Sequence, residues 1–408
     1  MNRPNPESFS EGSSFAATIV SQQVAIKIGF LTLIGFAILR PLSLLGRENL
    51  AIGIVEITEL MGVGISYLLL FPLLLGLKRI KLDLLSLFIM IFIFYSIESL
   101  FWGSEIRKTA KTILPFIVFL SVRTFITQKN QVKMLLIFLV LGFLLPIGFS
   151  TYNILLGKSI EMVEIHSKMP RFAGAFTGIH TLAYSMLFFS FFYCILHNVY
   201  RFKSDFNRAV IGFLLILSVF CLYKSLTRTP MVGFLIFWLI YLWGSNKKAF
   251  FIFIALSVLL SILFSDTLYT IIFKKDYIDI NTATSGRFKL LALNINLFLD
   301  SSLLQQLFGR GIGHERAFAF HNDYMVLLIS FGIIGLLLYL VLLSLLGWNI
   351  ALCKDKKTKY LFGAILISAA AMNFGSNAVV FRFELSQYFW MIMGLFYSIE
   401  KLKMNNKT

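Results

Sequence analysis

The sequence predicts an all-α polytopic membrane protein, and three observations carry that prediction. Of its 408 residues, 58% are hydrophobic and 14% are charged. The mean hydropathy of +0.82 is too high for a chain that folds in water. Apolar runs of spanning length, about 20 residues each, recur from end to end. None alternates over about 10 residues, as a transmembrane β-strand must.

About twelve runs qualify as transmembrane helices. Residues 1–23 are polar and read as a short disordered cytoplasmic tail. The first run, 24–41, is of full spanning length, so no cleavable signal peptide is expected. The second, 51–77, carries Glu56 and Glu59 one helical turn apart, and the third, 82–102, carries Glu98 near its end. Intramembrane acids of this kind couple protons, neutralise arginines or bind sugar hydroxyls. Runs 109–127 and 132–156 lead to a first long loop, 157–176. Runs 177–199 and 209–224 are followed by a tight turn ending at Arg228, then by 229–243 and 249–273. Several runs hold Gly or Pro, which bilayer helices tolerate when neighbours re-satisfy the backbone. The longest polar interruption is 274–322. Within it Phe288, Leu291, Ile295 and Phe298 fall at helical spacing, with Lys289, Asn294 and Asn296 between them. That pattern predicts an amphipathic interfacial helix, and the glycine-rich turn at 309–313 would break the chain after it. Runs 324–347, 360–376 and 384–400 and a short tail at 401–408 complete the chain. No linker, repeat or soluble domain is evident, so 24–400 reads as one membrane domain.

An even number of spans puts both termini on one side. Lysine and arginine favour that side, in Lys78–Lys81, Lys354–Lys359 and the Lys401/Lys403/Lys407 tail, while acids concentrate opposite. By the positive-inside rule both ends are cytoplasmic and the 274–322 loop lies outside. The net charge of +17 does not point to nucleic acid, because no soluble basic domain or arm presents it. Cys194, Cys221 and Cys353 have no metal or disulfide spacing and read as small apolar filler.

Arginine beside a hydrocarbon span is costly and usually faces a cavity. Arg171 opens the glycine-bearing stretch RFAGAFTGIH. Arg228 sits in the turn KSLTRTP, with Lys224 one helical turn earlier, and Arg287 opens the interfacial helix in TSGRF. The guanidinium fork suits bidentate binding of phosphate oxygens, and Ser285–Arg287 would add backbone N–H groups near a helix start. Taken singly, each arginine reads as a side chain snorkelling to lipid headgroups; taken together on one face they read as an anionic site. His321 immediately precedes a span, where a neutral imidazole accepts a proton from a sugar hydroxyl. The competing reading makes it a polar cap, with Asn322 and Asp323 starting the helix. His166, His180 and His314 are weaker candidates. No histidine or carboxylate spacing indicates a metal site.

These features together resemble the O-antigen ligase/polymerase superfamily of bacterial envelope glycosyltransferases. The matching segments are RFAGAF at 171–176, S-x-T-R at Ser225–Arg228, SGR at Ser285–Arg287, the Gly309-Arg310-Gly311-Ile312-Gly313 turn and the HNDY block that runs from His321 through Tyr324 to Gly335. The resemblance implies a GT-C-like fold and a metal-independent, cofactor-free transferase at the periplasmic face of the bacterial inner membrane. Its donor would be an undecaprenyl-diphosphate-linked oligosaccharide, with the prenyl tails in grooves shared with membrane lipid. It further implies that Arg171, Arg228 and Arg287 bind the diphosphate and that His321 is catalytic, orienting or deprotonating the acceptor. Asn322, Asp323, Tyr324, Lys224 and Arg310 are secondary candidates.

Two reactions fit that resemblance. A polymerase joins one lipid-linked repeat unit to another, in some systems beside a chain-length regulator protein; a ligase moves the finished glycan to the lipid A core. The polymerase is favoured. A lipid-linked oligosaccharide flippase is a third reading, but it would spread charge along a central cavity and often show related halves.

Overall fold

The computed structural model describes residues 7–45, 51–52, 55–56, 63–163, 170–199, 205–263, 287–312, 322–377 and 379–404, and over these the chain is mostly α-helical. The order begins with α1 (Glu7–Leu42) and an antiparallel pair of two-residue strands, β1 (Ala51–Ile52) and β2 (Val55–Glu56). The short α2 (Ile65–Leu68) and α3 (Leu70–Leu75) precede α4 (Leu84–Glu98), α5 (Ile106–Phe125) and α6 (Lys129–Leu155). A second antiparallel pair, β3 (Ile160–Val163) and β4 (Pro170–Phe172), leads to α7 (Ile179–Val199), α8 (Asp205–Lys224), α9 (Arg228–Ser245) and α10 (Lys247–Leu263). Then come α11 (Arg287–Leu299), α12 (Leu303–Phe308), α13 (Asp323–Ala351), α14 (Lys356–Gly375) and α15 (Phe383–Met404).

Among the described residues, six helices are long and apolar enough to cross a membrane: Gln22–Leu42, Leu84–Trp102, Lys129–Leu155, Ile179–Val199, Asn207–Lys224 and Asp323–Ala351. The expected runs at 109–127, 229–243, 360–376 and 384–400 are helical as well. Charged and polar residues dilute their apolarity, such as Lys111 and Arg123 in α5 and Gln387 and Glu400 in α15. Large apolar side chains such as Leu82, Phe94 and Ile262 are exposed on the outer faces, which suits a hydrocarbon solvent rather than water.

Two elements depart from the sequence reading. The polar lead is not wholly irregular, because α1 begins at Glu7 and runs without interruption into the first apolar stretch. The 51–77 run is not one helix: it opens with the β1–β2 pair, and its helical part is split at Leu69. Glycine and β-branched residues crowd the first half of that run, and both weaken a helix. Helix α11 forms where expected; Asn294 is buried at 1% exposure, while Ile295 and Leu293 face outward.

The core lies around α7, whose side chains are almost all buried. Aromatic rings fill the space about it. Tyr388 packs on Phe143, Phe188 and Phe192, and Trp390 packs on Phe116 at 4.6 Å between ring centres. Helices approach closely where glycine permits: a Cβ on Gly142 of α6 would stand 2.6 Å from the Ala37 carbonyl of α1. Small residues serve this purpose in membrane bundles.

Helix α13 is broken at Gly332, which adopts φ 68 and ψ −171, a conformation essentially confined to glycine. The break leaves carbonyls without their helical partners. The loop after α12 takes them: Arg310 N–H donates to the Ile329 carbonyl at 2.9 Å and Gly311 N–H to Ser330 at 3.1 Å. Tyr95 of α4 donates its hydroxyl to the Phe331 carbonyl at 2.7 Å. Fit is tight on both sides, since a Cβ on Gly309 would sit 2.2 Å from the Ser330 oxygen and one on Gly332 2.2 Å from the Leu307 oxygen.

Candidate functional site

At one end of the bundle α7, α9, α11, α13 and α15 begin, while α8 and α14 finish. The stretch Ser225–Thr229, between α8 and α9, is the hub of that end. Buried Ser225 closes α8 by donating to the Leu222 carbonyl at 2.6 Å, and Leu226 takes a positive φ of 47 to turn the chain. Arg228 is then the first residue of α9.

Two guanidinium groups reach this hub from elsewhere. Arg171, on β4, donates Nε to the Ser225 carbonyl at 3.3 Å and Nη2 to Thr227 Oγ1 at 3.4 Å. Arg287, the first residue of α11, donates Nη1 to Thr229 Oγ1 at 3.1 Å, and Thr229 in turn donates to the Gly375 carbonyl at the end of α14. The three arginines singled out by the sequence therefore meet on one five-residue segment. Burial pushes the Arg287 guanidinium below its ordinary pKa; Tyr184 opposes this, and the neighbouring charge of Arg228 adds to it. The two guanidinium groups thus stand close enough for their charges to repel, and one of them is partly desolvated. Among the described residues no carboxylate pairs with Arg287.

The HNDY block is placed in part. His321 lies outside the described residues, as do His166, His314, Arg316, Glu59, Ser285 and Gly286. Asn322 caps α13, its Oδ1 accepting from the N–H groups of Tyr324 and Met325. That is the helix-starting role. Tyr324 donates its hydroxyl to the Ala370 carbonyl of α14 at 3.0 Å. Asp323 is fully buried and does not start the helix alone. Its Oδ2 accepts from Val379 N–H at 2.9 Å and Val380 N–H at 3.0 Å, and its Oδ1 from Phe381 N–H at 3.4 Å.

Other candidates sit apart from the hub or serve packing. Arg310 is bound to Ser301 Oγ at 2.8 Å and the Leu297 carbonyl at 3.3 Å, which ties its loop to α11. Lys224 ends α8 with its ammonium 5.9 Å from the Phe220 ring. Glu98 accepts from Trp102 Nε1 at 3.2 Å, Glu56 lies in β2, and His180 is in the first turn of α7.

One residue at this end escaped sequence reading. Arg382 precedes α15, donates Nε to the Asn377 carbonyl at 2.7 Å and lies 5.5 Å from the centre of the Tyr184 ring. The signal was present: an arginine in the apolar string VVFRF meets the same cost argument that marked the others. Among the described residues no group of three His, Cys, Asp or Glu side chains gathers as a metal centre would require. No family model matches this chain, and no curated protein is similar to it.

Proposed function

We propose that this chain is a polysaccharide polymerase of the O-antigen type, a membrane glycosyltransferase acting on an undecaprenyl-diphosphate-linked donor. The observation that carries the reading is the meeting of Arg171, Arg228 and Arg287 on Ser225–Thr229. Half-buried, fork-shaped cations, two of them held by hydroxyl or carbonyl groups, suit the oxygens of a diphosphate. In this reading the chain has about twelve spans, both termini are cytoplasmic, and the arginine end faces the periplasm of the bacterial inner membrane.

The chemistry follows from the charges. The acceptor sugar hydroxyl attacks the anomeric carbon of the donor, its proton passing to His321 as general base. The bond from that carbon to the diphosphate oxygen breaks, and the electron pair leaves with the diphosphate. The guanidinium groups of Arg171, Arg228 and Arg287 stabilise the charge that develops there. The donor bond is already activated, so the step requires no metal or nucleotide.

The test is deletion of the gene with the surface polysaccharide resolved on a gel. A core carrying a single repeat unit supports the polymerase. Full-length polymer retained on the carrier lipid indicates a ligase, and arrested export of single units indicates a flippase. Complementation with His321→Ala or Arg287→Ala should give no ladder while the membrane level of the protein stays normal. A normal ladder from both variants removes these residues from the site.

A further inference from the structure

Resting on the diphosphate reading above, we infer that Arg382 is a fourth guanidinium of the anionic site and that Asp323 is its positioning residue. The two are joined through the main chain between α14 and α15. Asp323 presents both carboxylate oxygens to three successive N–H groups, Val379, Val380 and Phe381. Arg382 is the next residue. A buried carboxylate holding consecutive N–H groups fixes the path of that segment and hence the direction in which residue 382 leaves it. From the far side, the Asn377 carbonyl takes Nε of Arg382. The guanidinium is thus steered from both sides of a short loop.

Its surroundings belong to the arginine hub. Arg382 lies over Tyr184, and Tyr184 is within electrostatic reach of Arg287 and Asp323. The residues before the loop close the circle, since Gly375 lies 3.9 Å from Nη1 of Arg287 when given a Cβ, and its carbonyl accepts from Thr229. One buried donor here, Nε of Arg287, has no hydrogen-bond partner among the described residues. Unmet buried donors are costly and are retained where a ligand completes them. Among the described residues no carboxylate pairs with Arg382, so its charge remains available to an anion. The chemical class is a diphosphate ester, and Asp323 contacts the loop rather than the ligand.

The experiment uses the purified full chain in detergent and two probes, inorganic pyrophosphate and farnesyl diphosphate, with affinity read by calorimetry. Arg382→Ala should weaken both by about tenfold or more, the size of one lost charge-assisted hydrogen bond, and Arg382→Lys should recover part of the loss. Asp323→Asn should weaken binding to a similar degree. Combined with Arg382→Ala it should add little, because both changes remove the same guanidinium. A purely structural Asp323 would instead lower the melting temperature, with losses that add to those of Arg382→Ala, and that result overturns its positioning role. Wild-type affinity in Arg382→Ala, with loss in Arg287→Ala, sinks the role of Arg382 and leaves the hub intact. Wild-type affinity in Arg287→Ala too, or failure of the native chain to bind either probe, defeats the diphosphate reading itself. Binding of farnesyl diphosphate and pyrophosphate alike assigns recognition to the headgroup; binding of the former alone adds the prenyl chain. Either supports the site.

Discussion

Asp83→Asn isolates a charge at the end of the bundle opposite the arginine hub. Asp83 caps α4 by accepting from Ser86 N–H at 2.9 Å. It also takes both forks of Arg123, at 2.7 and 3.2 Å, while Arg123 lies 4.4 Å from the Tyr397 ring. The side chains are 11% and 32% exposed for Arg123 and Asp83. A surface pair would be worth about 0–1 kcal/mol and rupture of a fully buried one about 3–5 kcal/mol. This half-buried pair falls between, at about 2 kcal/mol. Asparagine keeps the cap, so Asp83→Ala should cost about 1 kcal/mol more. The assay is reversible unfolding in mixed detergent, in a cycle with Arg123→Met, where a coupling of about 1–2 kcal/mol is expected. Acid supplies a second readout. Burial opposes ionisation of Asp83, but hydrogen bonds from Arg123 and Ser86 and the charge of Arg123 outweigh it, leaving its pKa below the ordinary 3.8. A depressed folded pKa means the contribution is full above the unfolded value and vanishes as pH falls through the folded one. The native chain should lose stability below pH about 4, and Asp83→Asn should lose less. A variant as stable as the native chain at pH 7, with an unchanged acid limb, would refute the assigned geometry.

Other substitutions probe the backbone. Gly332→Ala and Gly309→Ala each force apart the same two strands of main chain, so each should cost about 3 kcal/mol or more, and the double variant little beyond either single; additive losses in the same unfolding assay would deny the interlock. Gly142→Ala, driven against the Ala37 carbonyl, should destabilise by about 1–3 kcal/mol. Gly148→Ala is the opposite case, an exposed position in α6 with nothing within 4 Å of its Cβ, and should stabilise by about 0.5–1 kcal/mol.

The helical class was legible because apolar composition and spanning length leave few alternatives in a bilayer, and the helices at 84–98, 129–155, 179–199 and 323–351 fall on the expected runs. Apolar content alone does not tell a helix from a short extended segment, which is why 51–77 read as one span although it opens with paired strands. The three arginines that meet on Ser225–Thr229 were readable from the expense of placing charge beside hydrocarbon. Arg382 meets the same cost argument, although it stands in the short connection between two apolar runs. The partners of Asp323 were not legible, since Val379 to Phe381 lie more than fifty residues away along the chain and nothing in their side chains advertises the contact. Asn322 shows the reverse: its ordinary capping role was stated beside the chemical one, and capping is what its side chain does.

The discontinuity in α13 has a mechanical consequence. Above Gly332 the helix is bolted sideways to Arg310, Gly311 and Tyr95, and beyond it Tyr339 accepts from Asn373 of α14 and packs on Phe92 of α4. Bilayers of different thickness are accommodated by helix tilt. Tilt of α13 therefore has to carry α4 with it, because α4 holds the helix on both sides of the break.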